Sequence, residues 1–200
     1  MPARKRHESN EMRERILLSA EKVFAQKGYA AASIRELCEA AGVNRALIYY
    51  YFADKADLYR AVVEKGDADL LLIAQEARDY TGAALDKLRF FITRSAQLQL
   101  ERPSMMEMVI RLERDHDHPE GILPGPQRLT ELPMILKEVL TEGITSGDLR
   151  PLQVDTMLHV VFAMMHSLVI MQTLTGATSI PQASADEVMA VLAHGIAAPR

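Results

Sequence analysis

Between Ser33 and Phe52 the chain carries two helical stripes too short to stand alone, joined across a glycine, and this spacing restricts the fold more than any other feature. Ser33 followed three residues later by Glu36 is a capping box, so a helix starts there. Ile34, Leu37, Cys38 and Ala41 give it one apolar face, and Gly42 ends it after barely two turns. Val43 plugs the connection, Asn44 is a good N-cap, and a third helix follows from Arg45 to about Phe52. Short helix, glycine turn, short helix is the layout of a helix-turn-helix over residues 33–52. Such a pair needs a third helix to close its core. The stripe Ile16, Leu17, Ala20, Val23 and Phe24 supplies one, capped by Ser9 or Asn10 and terminated by Gly28.

Helical spacing continues to the end, with no alternating strand pattern and no Asn-Gly hairpin. Asp54 caps a fourth helix bearing Leu58, Val62, Leu70 and Ile73, and Gly82 precedes a fifth with Leu85, Leu88, Ile92, Ser95 and Ala96. Pro103 begins a sixth, rich in methionine, and residues 115–126 are a loop by composition. The seventh carries Leu132, Leu136, Val139, Leu140 and Ile144, where Pro133 is tolerable only in the first turn or at a kink. The eighth runs from about Val154 to Leu174, and a second capping box, Ser184 and Glu187, starts the ninth. The expected fold is all-α, about nine helices: an N-terminal three-helix helix-turn-helix domain and a C-terminal antiparallel helical bundle. The eighth helix is apolar around nearly its whole circumference and so requires burial on more than one side. A second subunit would provide that, although the central helix of a monomeric bundle would read the same way.

Composition narrows the function. The chain has 200 residues, no apolar run approaching the roughly 18 of a membrane span, and no apolar stretch behind its basic start. A single cysteine, Cys38, excludes an intramolecular disulfide framework and fits a reducing cytoplasm; its place on an apolar stripe favours an inert, packed thiol over a redox sensor. The net charge of −4 averages two unlike parts, because residues 1–65 hold 12 Lys+Arg against 9 Asp+Glu and the remainder 11 against 18. The basic excess gathers in Arg4, Lys5, Arg6, Arg13 and Arg15, an arm able to neutralise phosphates but equally an ordinary solvated tail. No nucleophile elbow, phosphate-binding glycine loop or zinc-hydrolase pattern appears, so the chain is read as a non-enzyme without a cofactor.

The segments Ser33-Ile34-Arg35-Glu36-Leu37, Ala40-Ala41-Gly42-Val43-Asn44-Arg45, Ile48-Tyr49-Tyr50-Tyr51-Phe52 and Asp54-Lys55-Ala56-Asp57-Leu58 together resemble the DNA-binding signature of the TetR/AcrR family of repressors. Ala20, Phe24, Gly28 and Tyr29 fit upstream, and Gly147-Asp148-Leu149-Arg150 resembles a weaker element before the eighth helix. Residues 1–54 are then the DNA-binding domain and 55–200 an effector-binding and dimerisation domain. The chain departs from the family at Ala46 and Leu47, where small or hydroxyl residues are common. The resemblance implies an effector cavity among the fifth to eighth helices. It also implies a homodimer through the eighth and ninth, about residues 154–174 and 184–197, seated on a palindromic operator in double-stranded DNA.

The side chains suit those roles. Arg45 and Arg35 can reach guanine edges or phosphates, and Tyr49 and Tyr50 can meet thymine methyls or donate to phosphate. Lys55 lies at the positive end of the fourth helix as a phosphate clamp, and Ser33 offers its hydroxyl beside the free amides of the second. Asn44 caps the recognition helix, and Leu47 either reads a thymine methyl or packs inward. For a largely apolar effector, Met105, Met108, Leu112, Met134, Met164 and Met165 are a flexible lining, with Arg94, Glu113 and His166 as polar anchors; each methionine taken alone is also ordinary core. Asp115-His116-Asp117-His118 invites a metal reading, in which His116 and His118, or else Cys38, make the chain a metal- or redox-responsive regulator. A helical protein without operator binding is the remaining alternative.

Overall fold

A computed structural model describes residues 2–114, 126–175 and 182–196. The side chains at 2–6, 8, 106, 109, 110, 112–114, 126–130, 166, 168–175, 182–186 and 196 are excepted. Among the described residues the elements are nine α-helices: α1 (Pro2–Ala31), α2 (Ile34–Ala41), α3 (Arg45–Tyr51), α4 (Lys55–Asp79), α5 (Ala84–Glu101), α6 (Pro103–Arg114), α7 (Pro126–Ser146), α8 (Val154–Thr175) and α9 (Gln182–Ile196). The expected all-helical class and the order of helices hold. Two compact units form, Met1–Gly66 with Pro103–Gly125, and Asp67–Arg102 with Pro126–Arg200.

In the first unit α1, α2, α3, the start of α4 and α6 share one core. Ile16, Leu17, Phe24, Leu37, Ile48 and Leu58 are its largest wholly buried side chains. Phe24 and Tyr59 meet edge to face at 4.9 Å between centroids, and Tyr29 packs on Tyr59 at 5.2 Å. The unit is larger than the segment 1–54 that the motif marks out, because α6 is fastened to α1. Buried Glu21 accepts a hydrogen bond from the Ser104 hydroxyl at 2.6 Å, and the Arg111 guanidinium donates to the carbonyls of Ala25 and Gln26. Met108 lies buried in the same core.

Three boundaries differ from expectation. Helix α1 begins at Pro2, not at Ser9 or Asn10; proline suits a first helical position, and no breaker follows it before Gly28. Gly28 interrupts the helix as expected, with φ 78° and ψ 171°, a conformation essentially reserved for glycine. Helix α7 begins at Pro126, which leaves Pro133 inside the helix and no N–H there to meet the carbonyl one turn back. Helix α9 begins at Gln182, so Ser184 lies within it and is not its N-cap. The loop expected at 115–126 falls outside the described residues except for its last position.

The second unit packs α5 against α7, α8 and α9 around Leu88, Phe91, Ile92, Leu136, Leu140 and Val161. Gly143 of α7 is the tightest point: a β-carbon there would lie 2.4 Å from Cβ of Ala84 and 2.7 Å from Cδ1 of Leu149. Glycine therefore allows the first turn of α5 and the chain after α7 to close on the helix. Gly143→Ala is expected to cost about 1–3 kcal/mol of stability through overpacking, read as a lower denaturant midpoint with unchanged slope. An unchanged midpoint would contradict this packing.

Candidate functional site

Both ends of α2 and the start of α3 are held by end-caps. Ser33 donates its hydroxyl to Glu36 Oε2 at 2.7 Å and its backbone N–H to the same oxygen at 2.9 Å, while Glu36 N–H returns a bond to Ser33 Oγ at 3.3 Å. Lys27 also pairs with Glu36. The Lys27 ammonium first, then the Ser33 hydroxyl and N–H, hold the Glu36 carboxyl down at about 2. Gly42, at φ 63° and ψ 37°, closes α2 in the left-handed conformation that lets its N–H reach the carbonyls behind it. Asn44 then accepts from Leu47 N–H at 2.9 Å, opening α3 two residues later.

This frame sorts the side chains of α3. Ile48 is fully buried and Phe52, its C-cap, nearly so, whereas Tyr49 is 42% and Tyr50 75% exposed. Arg45 is exposed and donates to the Tyr49 hydroxyl at 3.3 Å, with its guanidinium 5.4 Å from that ring. Arg35 is exposed on α2, only loosely paired with Glu39 at 3.8 Å, a surface contact of little energetic weight. Leu47 is half-buried, and Cys38 is half-buried against the core. Arg35, Arg45, Tyr49 and Tyr50 thus project from two short helices whose ends are fixed.

Lys55 differs from the expected phosphate clamp. Its ammonium donates to the carbonyls of Tyr29, Ala30 and Ala32 at 2.8, 3.3 and 3.0 Å, and sits 4.3 Å from the Tyr29 ring centroid. An ammonium has three protons, and all three are committed to the end of α1. Residue type and spacing single out Lys55 but not the carbonyls it faces, because Gly28 has to turn the chain first.

The residues expected to line an effector cavity come from both units. Met105 and Met108 are buried in the first unit, Met165 is buried and Met164 half-buried in the second. Met134 is 60% exposed, in an open groove of about 710 Å³ along α7 with Lys137, Glu138 and Thr141. Arg94 is exposed and bonded to Gln97 at 2.7 Å, on the outer face of α5, so it does not serve as a buried anchor. The side chains of Leu112, Glu113 and His166, and the whole of His116 and His118, lie outside the described residues. No cluster of metal-ligating side chains occurs among the described residues.

The polar groups that do point inward are one turn apart on the buried face of α5. Ser95 is wholly buried and Gln99 nearly so, and among the described residues neither Ser95 Oγ nor Gln99 Oε1 has a hydrogen-bond partner. Serine on an apolar stripe with Leu88 and Ile92 is the signal in the sequence; Gln99 extends it by one turn.

A capped three-helix core that exposes one short helix with aromatic and arginine side chains is that of a helix-turn-helix protein. Residues 16–62 match the family described as bacterial regulatory proteins, tetR family. It is 31% identical over 114 residues to the HTH-type transcriptional regulator AcrR of Shigella flexneri, a stretch covering 54% of this chain and 53% of that relative. The chain thus aligns with about half of that regulator's length. Its fold is like that of PfmR, a TetR family transcriptional regulator from Thermus thermophilus, with TM-score 0.71 and 21% identity over 88% of this chain and 94% of that one. It is also like that of FadR from Bacillus subtilis, solved in complex with stearoyl-CoA, with TM-score 0.74 and 24% identity over 91% and 98%. The family is one of transcriptional regulators, not of enzymes.

Two outcomes follow from these contacts. The Glu36 carboxyl titrates lower in the folded chain than its ordinary 4.5, so its contribution is full above that value and drains away as pH falls towards about 2. Glu36→Gln should flatten the acid limb of a stability–pH curve in that window; an identical limb would mean that the cap contributes nothing there. Ser95→Ala should raise the melting temperature of the ligand-free protein by a few degrees, because it deletes a buried group with no partner among the described residues. A fall of several degrees would mean that the hydroxyl is satisfied.

Proposed function

We propose that this protein is a ligand-responsive transcriptional repressor that binds a palindromic operator as a homodimer and leaves it when a small, largely apolar effector binds. Residues 1–54 carry the DNA contacts, and residues 55–200 carry effector binding and dimerisation. The observation that carries the reading is the exposure of Arg45, Tyr49 and Tyr50 on a helix whose Ile48 and Phe52 are buried. A short helix presented this way enters a major groove with its N-terminal turn leading, and arginine then meets guanine edges. Arg35, Ser33, Asn44 and the α2 and α3 amides flank it for phosphate contacts, Leu47 packs partly inward, and Lys55 acts through the end of α1.

Dimerisation through α8 and α9 is supported by Val160 and Val191, apolar side chains left exposed on those helices. Two recognition helices would then face half-sites about 34–36 Å apart. For the effector, the second unit offers Met164 and Met165 with Ser95 and Gln99 as the polar anchors, in place of Arg94. The fold is one that in the Bacillus subtilis protein was solved with stearoyl-CoA, a mostly apolar molecule with a polar head. No described helix is long and apolar enough to cross a membrane.

Titrating the purified protein onto duplex DNA from its own upstream region tests the first step. Arg45→Ala is expected to lose about 1–3 kcal/mol of discrimination at one base pair per half-site while leaving binding to unrelated duplex nearly unchanged. Absence of salt-sensitive binding by the unmodified protein would overturn the reading.

A further inference from the structure

Helix α1 starts at Pro2, whereas among the described side chains the first apolar one it packs on the core is Met12 and the first it fully buries is Ile16. At ~1.5 Å per residue the helix therefore extends on the order of 15 Å ahead of that core. Residues 2–9 read Pro-Ala-Arg-Lys-Arg-His-Glu-Ser and contain no large apolar side chain. A helix polar on all sides gains nothing by packing on a protein core. The base of this extension is nevertheless fixed. The Ser9 and Tyr51 hydroxyls are hydrogen-bonded at 3.0 Å, and the Arg13 guanidinium lies 5.4 Å from the centroid of the Phe52 ring. Tyr51 is the last residue of α3 and Phe52 its C-cap. Two contacts from separate turns of α1 thus root the extension at the C-terminal end of the helix whose exposed face carries Arg45, Tyr49 and Tyr50.

Arg4, Lys5 and Arg6 precede Ser9 by three to five residues, which at the helical rise is ~5–8 Å along the axis. That is within a Debye length of about 8 Å from the end of α3 at physiological salt. A duplex carries one phosphate per ~1.7 Å, so a groove that admits α3 brings a strand backbone close to this cluster. We propose that Arg4, Lys5 and Arg6 form a second DNA-binding segment, which the Ser9–Tyr51 bond registers to α3 and which takes the sugar–phosphate backbone beside the groove. This deepens the repressor reading and rests on it. The segment holds its DNA without reading sequence, in contrast to Arg45.

The test compares the full-length protein with its R4Q/K5Q/R6Q variant on two duplexes, its own upstream region and an unrelated sequence of equal length, across about 50–300 mM KCl, the range over which phosphate contacts are most salt-sensitive. The triple variant is expected to bind both duplexes more weakly, by the same factor of about ten near 0.1 M salt. Its log K against log salt should be flatter by about 1–3 per protomer, near 0.9 for each phosphate no longer neutralised. The R4K/R6K variant, which keeps all three charges, should retain the unmodified slope. An unchanged slope in the triple variant, a loss confined to the upstream duplex, or a reduced slope in R4K/R6K would each overturn the assignment. If the unmodified protein shows no salt-dependent binding to either duplex, the repressor reading fails, and the assignment fails with it. Binding of the unmodified protein with an unchanged triple variant removes only the arm.

Discussion

The carbonyl oxygens at the end of α1 decide how the first unit is assembled. A helix leaves its last four carbonyls without intrahelical donors, and Gly28 turns the backbone sharply just where those groups accumulate. Two cations from distant parts of the chain meet them, Arg111 at Ala25 and Gln26 and Lys55 at Tyr29, Ala30 and Ala32. One arrives on α6 and the other on the first turn of α4, so satisfying a single helix end brings three helices together. The aromatic contacts of Phe24, Tyr29 and Tyr59 then fill the space that this arrangement encloses.

Helices of eight and seven residues do not persist alone in water, because nucleating a helix costs more than so few hydrogen bonds return. α2 and α3 hold because Ser33, Gly42 and Asn44 cap their ends and because Leu37, Ala41 and Ile48 are buried in the shared core. The consequence for recognition is geometric. On the proposed reading, the backbone that carries Arg45 and the two exposed tyrosines needs no ordering when DNA arrives, since the caps have already set that helix. The exposed aromatic rings are partly covered by neighbours, Tyr50 by Tyr51 at 4.9 Å between centroids and Tyr49 by the Arg45 guanidinium.

Helix starts and the glycine stops are legible where they depend on neighbours in sequence. Ser33 with Glu36, Gly42 and Asn44 each act within four residues, and the alternation of buried Ile48 and Phe52 with exposed Tyr49 and Tyr50 follows from helical period alone. The features that escape depend on distant partners. Nothing near Lys55 reveals three carbonyls 23 to 26 residues away. Met108 looks like the other methionines of the expected cavity, and only the fastening of α6 to α1 places it in the core of the first unit. The start of α1 is hidden by its own strong capping types. Ser9 and Asn10 both suit an N-cap, yet Ser9 spends its hydroxyl on Tyr51, 42 positions on.

The Ser95 hydroxyl and Gln99 carbonyl, without partners among the described residues, would on the proposed reading bear on the lifetime of the protein as well as its signal. Buried polar atoms left without partners lower the free energy needed to open the second unit, and a bound molecule that supplies those partners raises it again. On the proposed reading, the occupied protein opens less often and offers fewer chances to proteases than the empty one. The effector would then set how many copies survive while it also takes them off the operator. When it disappears, the pool that returns to DNA would be the larger for having been protected.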